Sequence, residues 1–338
     1  MISALLLFKD NQNPNNIFSL DTRDNLSDHW VAMKNFFLQN GVDLVLEVDQ
    51  RKKHNFEIHI DINDRKNPEV PAFLLVWENK NMYPQNLNAS KLKNYYKIFS
   101  HDTETKNFIN AEKFFLPVLR SIKVLPNGYV NRNKLLVMIA NNKSLPTFNN
   151  LNNLYAERVK SIKWFEKNYP EEFHLYGSGW DKSARIPTKI GATIHKIEEK
   201  FFFKKFQFNS WKGAIERKDD VLTTSKFSLV YENIANQNDY ITEKIFDAFS
   251  FGNVPIYWGA KNVLDHIPDN CFIDKRNFMS HENLYRFIKN MSEETYIDYQ
   301  KNITKFLINQ KKKKFSNESF IQAVPYKILH CLKSLKLI

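Results

Sequence analysis

The stretch from Phe227 to Gly259, FSLVYENIANQNDYITEKIFDAFSFGNVPIYWG, constrains the fold of this chain more than any other. Phe227, Leu229, Val230 and Tyr231 form an apolar run that stops at Glu232-Asn233. After a polar loop, Ile241, Ile245, Phe246, Ala248 and Phe249 fall at helical spacing, and Gly252 supplies the stop. Val254-Pro255-Ile256-Tyr257-Trp258 then reads as a second short strand. This is a strand–helix–strand unit of the size a parallel crossover needs.

The same stretch is a site candidate. Glu232, Asn233, Tyr240, Thr242, Glu243 and Lys244 crowd the strand's C-terminal end and the helix start, where open α/β sheets bind ligands. Free N–H groups and the helix dipole favour an anion there, and Lys244 adds a full positive charge. A cation in the first turn does nothing for helix stability, so an anion site is the stronger reading, with an ordinary solvated lysine as its rival.

The string YENIANQNDYITEKIFDAFSFGNVPIYWG resembles the donor-binding signature of the α-1,3-fucosyltransferases, glycosyltransferase family 10. That signature runs aromatic-Glu-Asn, loop, Tyr-hydrophobic-Thr-Glu-Lys, then a Val/Ile-Pro strand ending in Gly. Phe272-Ile273 and Phe278 resemble the family's ending of this block. The resemblance implies an α/β chain with two Rossmann-like domains facing a cleft, a GT-B-like fold, to which the sequence itself adds a C-terminal basic helical tail. It implies an inverting transfer of L-fucose from GDP-fucose to an oligosaccharide hydroxyl, on lipopolysaccharide or another surface glycan. Another GDP-sugar such as a GDP-heptose is the nearest alternative donor, and a non-catalytic sugar- or nucleotide-binding relative is the alternative from a different class.

Sugar transfer from a nucleotide donor needs a base for the acceptor hydroxyl, positive groups for the departing diphosphate, and a grip on the nucleotide. Lys244 and Arg158 are the cationic candidates. Arg158 lies in AERVKSIKWF, which together with FHLYGSGW resembles the family's second donor-domain block, and a guanidinium matches diphosphate oxygens in a bidentate way. The donor set implied is Arg158, Asn141, Gly177, Tyr231, Glu232, Asn233, Tyr240, Thr242, Glu243 and Lys244. In it Tyr240 holds a phosphate, Glu243 accepts from ribose or fucose hydroxyls, and Asn233 helps hold the nucleotide. For the base, Glu78 directly follows the apolar run FLLVW and opens an Asn-rich loop, a setting similar to the family's Glu-Asn pair. Glu47 and Glu57 are weaker rivals. No metal or other cofactor is expected, and Asp61-Ile62-Asn63-Asp64 is the nearest thing to a metal-ligand pattern.

Other segments set the frame. Trp30, Met33 and Phe37 predict a helix, and Val42 to Leu46 a strand. Phe56, Ile58, Ile60 and Ile62 alternate with Glu57, His59 and Asp61, the pattern of a half-buried strand, and Ala72 to Trp77 is a buried one. Phe114 to Val118 suggests one more element, and Leu135 to Ala140 and Phe173 to Tyr176 two more strands. Helices are expected from about Leu154 to Lys167, Glu282 to Asn290 and Glu293 to Asn309. The pattern breaks at Pro126 to Asn133, which divides the chain into an acceptor domain, 1–128, a donor domain, 129–310, and a tail, 311–338.

The net charge of +12 is uneven. Residues 311–338 carry seven lysines against one acid, Glu318, on a segment with Phe320, Ile321, Val324, Ile328, Leu329, Leu332 and Leu335. A basic amphipathic segment suits an anionic membrane surface, or a helix closing the first domain. No nucleic-acid recognition motif accompanies the charge. Cys271 and Cys331 form no disulfide framework or metal spacing. The start, MISALLLFKD, is too short for a membrane span and reads as a first strand. The chain is expected to be cytoplasmic, with peripheral contact on the inner membrane surface through the tail, and its partners a GDP-sugar and a glycan acceptor.

Overall fold

A computed structural model describes residues 1–9, 16–20, 27–46, 53–102, 111–119, 128–145, 152–184, 193 and 208–338. The chain divides into two compact units, Met1–Arg120 with Lys313–Ile338, and Ser121–Lys312. Glu47 lies outside the described residues, as do Pro126 and Asn127 of the stretch expected to hold the boundary.

The first unit is built on six parallel strands: β1 (Ile2–Phe8), β2 (Val42–Leu46), β3 (Phe56–Ile60), β4 (Ala72–Val76), β5 (Lys97–Ser100) and β6 (Ala111–Lys113), in the order β2-β1-β3-β4-β5-β6. Strand β4 reads AFLLV without alternation because both its faces are covered. Phe73 and Leu75 join the cluster under the helix Asp28–Gln39, which buries Trp30, Met33 and Phe37. Ala72, Leu74 and Val76 meet Leu92, Tyr95 and Ile98 on the other face. Phe114 and Leu116 are buried, but the element expected from Phe114 to Val118 is not a strand or helix, and the short β6 lies just before it.

The half-buried pattern expected for β3 is corrected, since all five of its residues are buried. The Glu57 carboxylate accepts from His59 Nε2 at 2.8 Å, Arg65 Nε at 2.9 Å, and the backbone N–H of Lys66 at 3.0 Å and Asn67 at 2.5 Å. Burial alone pushes Glu57 up, but His59, the Asn67 N–H and Arg65 overcome it and hold the carboxyl well below the usual range. Glu57 is thus a structural carboxylate, closed off as a base.

The tail is part of this unit. Phe320, Val324, Ile328, Leu329 and Leu332 sit in one cluster with Ala4, Leu6, Met33 and Phe37. Pro325 opens the helix Pro325–Ser334 at its first position, where the missing N–H has no intrahelical partner to lose. Lys327 pairs with Glu112, which also meets Lys97. Of the two readings open for the tail, its apolar face packs on the first unit's core. No helix among the described residues is long and apolar enough to cross a membrane.

The second unit holds β7 (Lys134–Ile139), β8 (Phe173–Tyr176), β9 (Ser225–Tyr231), β10 (Val254–Trp258) and β11 (Ile273–Asp274), all parallel, in the order β11-β10-β9-β7-β8. Helices Leu154–Asn168, Glu243–Ser250, His281–Lys289 and Glu293–Ile308 match the expected segments within a few residues. The helix Glu243–Ser250 buries Ile245, Phe246, Ala248 and Phe249. It ends at Gly252, whose φ of +65° lets the Asn253 N–H reach back to the Ala248 carbonyl at 3.0 Å.

Candidate functional site

In the second unit, β9 delivers Glu232 to the start of the helix Glu243–Ser250. Glu232 is fully buried, and its carboxylate organises the helix entry. The Thr242 N–H donates to Oε1 at 2.8 Å and the Thr242 hydroxyl to Oε2 at 2.7 Å, while Lys244 Nζ lies 3.1 Å from Oε2. Lys244 Nζ also donates to Thr242 Oγ1 at 2.7 Å, with Glu243 Oε1 at 3.6 Å. Burial pulls the ammonium's pKa down, but Glu232 and Glu243 outweigh it and leave it raised. An ammonium has three N–H donors. Two are fixed inward, and the side chain keeps 27% of its surface open to a ligand. Lys244 is therefore held rigidly and stays charged.

Gly259 makes this packing possible. A Cβ there would sit 2.5 Å from Glu232 Cγ and 2.3 Å from the Tyr257 hydroxyl. The loop before the helix is pinned by Asp239, which has a φ of +63°. Its carboxylate meets His266 Nε2 at 2.8 Å and Asn262 Nδ2 at 3.1 Å. Asn233 Nδ2 donates to the buried Tyr240 hydroxyl at 3.3 Å, so these two donor candidates do come together.

Arg158 reaches the same strand end from the helix Leu154–Asn168, but from inside. Its Nη2 donates to the carbonyls of Tyr231 at 2.6 Å and Glu232 at 2.8 Å, and to Asn233 Oδ1 at 3.1 Å. The guanidinium lies over the Tyr155 ring, 4.5 Å from its centroid, and is almost fully buried. Arg158 fixes the β9 terminus on which Glu232 and Asn233 depend. On the neighbouring strand ends, Asn141 Oδ1 accepts from the Ser178 N–H at 3.0 Å. Gly177 has a φ of +127°, and a Cβ there would strike the Ala140 carbonyl oxygen at 2.0 Å.

In the first unit, a pocket of about 330 Å³ opens at the C-terminal ends of β1, β3 and β4. It is lined by Phe8 and Lys9, Ile60 and Asp61, Trp77 and Glu78, with Ile17, Ser27 and Trp30 completing the wall. Glu78 stands at its rim, 32% exposed, with Lys9 Nζ at 3.5 Å. Trp77 is stacked by His29 at 5.0 Å and held through its carbonyl by His101 Nε2 at 2.7 Å. A carboxylate beside an apolar, aromatic wall can accept a proton from a sugar hydroxyl while the rings cover C–H faces. Asp61 is buried and takes the N–H groups of Trp77 and Glu78, and Asp64 pairs with Lys91 at 3.1 Å. Among the described residues no group of three or more His, Cys, Asp or Glu is placed to hold a metal ion.

Sequence reasoning listed Glu232 among donor contacts without seeing it as the hub. It missed Asn86, Lys9 and the Asp239–His266 pair altogether, and gave Gly259 no role. Gly259 was visible as the end of the signature, but the others gave no local signal.

Residues 156–330, more than half of the chain, match Glycosyltransferase family 10 (fucosyltransferase) C-term. An Alpha-(1,4)-fucosyltransferase of Arabidopsis thaliana is 41% identical over 76 residues, 22% of this chain and 19% of that protein. The Alpha-(1,3)-fucosyltransferase FucT of Helicobacter pylori is 32% identical over 75 residues, 22% of this chain and 16% of that protein. The chain thus covers under a fifth of these two relatives' own length. Among solved structures, an alpha1,3-fucosyltransferase with GDP superposes with a TM-score of 0.51 at 13% identity, over 94% of this chain and 92% of the other. An alpha-glucosyltransferase in complex with UDP and DNA gives 0.54 at 11% identity, over 98% of this chain and 100% of that one. Two parallel-sheet α/β units of this topology are the GT-B fold. With its matched segment spanning the Glu232–Lys244 hub, the chain belongs to glycosyltransferase family 10, the fucosyltransferase family.

Proposed function

We propose that this protein transfers L-fucose from GDP-fucose to a hydroxyl of an oligosaccharide, such as a lipopolysaccharide or other surface glycan, with inversion at the anomeric carbon. The observation that carries the reading is the Lys244–Glu232–Thr242 unit at a helix N-terminus, inside the stretch that matches the family. A prefixed ammonium at a helix N-terminus stabilises the charge that builds on a departing diphosphate at no reorganisation cost. Tyr240 and Asn233 line the same strand end and Glu243 follows it, suited to nucleotide and sugar hydroxyls. Arg158 contributes by holding that strand end, and any direct contact with phosphate would come from its remaining N–H groups. Glu78 is the base in this scheme, and Trp77 and Trp30 offer rings 4.8 Å apart as an apolar wall for a sugar. The solved relatives with GDP and with GDP-fucose support a guanosine diphosphate donor by likeness of fold.

The purified protein should consume GDP-fucose in preference to GDP-mannose and a GDP-heptose when given glycan acceptors, and should do so in excess EDTA. Release of GDP from each donor is the readout. Turnover with the heptose donor alone would change the donor assignment. Loss of activity in EDTA, restored by manganese or magnesium, would overturn the metal-free mechanism.

A further inference from the structure

We propose that Asp61 is a positioning residue for Glu78, clamping the backbone that carries the base into its pocket. The inference rests on the reading of Glu78 as the base, and adds a residue that the sequence suggested only as a weak metal ligand. Asp61 follows β3, and its Oδ1 accepts three hydrogen bonds: from the Trp77 N–H at 2.8 Å, the Glu78 N–H at 2.9 Å and Asn86 Nδ2 at 2.7 Å. Asn86 closes the other side, since its Nδ2 also donates to the Glu78 carbonyl at 2.8 Å and its Oδ1 accepts from the Ile62 N–H at 3.0 Å. Both backbone polar groups of Glu78 are therefore held by side chains.

The position carries two local costs that no packing need explains. Asp61 has a φ of +61°, a left-handed region in which every residue but Gly carries some cost, Asn and Asp the least. Its carboxylate is almost fully buried, and charged groups are placed there only for a reason. Strain and buried charge at one residue are characteristic of sites kept for function. The charged groups that face Asp61 are Lys9, which follows β1, and Glu78, which follows β4. Burial pushes its carboxyl up from 3.8 to about 6, against the pull of Lys9 and the Glu78 N–H. The folded state binds this proton more tightly than the unfolded chain does, so this residue's contribution to stability rises as pH falls from about 6 towards 4.

Three variants test the clamp: Asp61→Asn, Asp61→Gly and Asn86→Ala. Asn and Gly both accept the left-handed backbone, but only Asn keeps an acceptor at the Oδ1 position. Asp61→Asn should keep turnover within about threefold of wild type and raise Tm at pH 8, because a buried charge is removed while its hydrogen bonds remain. Asp61→Gly should lower kcat by about tenfold or more, with little change in acceptor KM and unchanged GDP affinity by calorimetry. Hydrogen exchange at the Trp77 and Glu78 amides should quicken in Asp61→Gly and Asn86→Ala and stay slow in Asp61→Asn. Wild-type kcat with protected amides in Asp61→Gly would overturn the proposal, and so would an equal loss in Asp61→Asn and Asp61→Gly. Glu78→Gln run in parallel separates the two claims: full turnover there removes the base, whereas amide exchange reads the clamp without reference to catalysis.

Discussion

Glu78→Gln should lower turnover by about 10²–10⁴-fold and leave GDP affinity unchanged. An inverting single displacement needs a group that takes the acceptor hydroxyl's proton as the new bond forms. Glu78 is supplied by β4 to the rim of a pocket walled by Trp77, Trp30 and Phe8, and its carboxylate is accessible. Glutamine is nearly isosteric, so pocket shape survives and only proton acceptance is lost. The proposed donor-binding residues belong to the other compact unit, so GDP affinity is the internal control. A variant that keeps a tenth or more of wild-type turnover would remove Glu78 from the role. Glu57 cannot then take its place, because its carboxylate is buried among His59, Arg65 and two backbone N–H groups. Glu47 would be tested next.

Lys244→Ala is the second large effect, and it has two components. Loss of the ammonium should remove transition-state charge stabilisation worth roughly 2–4 kcal/mol, or about 30- to 1,000-fold in turnover, and should weaken GDP binding. It also leaves Glu232 buried without its cationic partner, held by the Thr242 N–H and hydroxyl and the Tyr257 hydroxyl. Stripping one partner from a buried pair destabilises the fold, here by about 1–3 kcal/mol because Lys244 is partly open to solvent. The double variant Glu232→Gln/Lys244→Ala separates the two. It should recover much of the lost Tm while GDP affinity stays low. Unchanged GDP affinity in Lys244→Ala would dismiss the anion site, whatever happened to Tm.

Much of this architecture was legible in the chain, for reasons that differ from place to place. The apolar runs of β4, β7 and β9 read correctly because strands buried on both faces need no alternation. The crossover from β9 to β10 was readable because Gly252 and Val254-Pro255 punctuate it. Pro255 sits in an inner strand without harm because the two-residue β11 pairs only with Ile256 and Tyr257. In β3 the alternation misled. A Glu–His alternation looks solvent-facing, and only a loop about ten residues on, bringing Arg65 and the Asn67 N–H, shows that it is neutralised inside.

The tail illustrates a second limit. Its apolar stripe is the same whether it meets lipid or Ala4, Leu6 and Met33, so periodicity cannot choose. Arg158 illustrates a third. Its helix was found, but the atoms its guanidinium meets depend on where β9 ends, 73 residues later in the Tyr231 contact. The Asp61–Asn86–Glu78 clamp likewise joins positions 17 and 25 residues apart, beyond any local pattern.

Proton NMR of the reacting mixture tests most directly whether fucose is transferred from a GDP donor with inversion and without a metal. Wild-type protein, GDP-β-L-fucose, an oligosaccharide acceptor and excess EDTA should give an α-linked fucosyl anomeric signal that grows in step with free GDP. A β-linked product, or an untouched GDP-fucose signal while another GDP-sugar is consumed under the same conditions, would contradict that transfer.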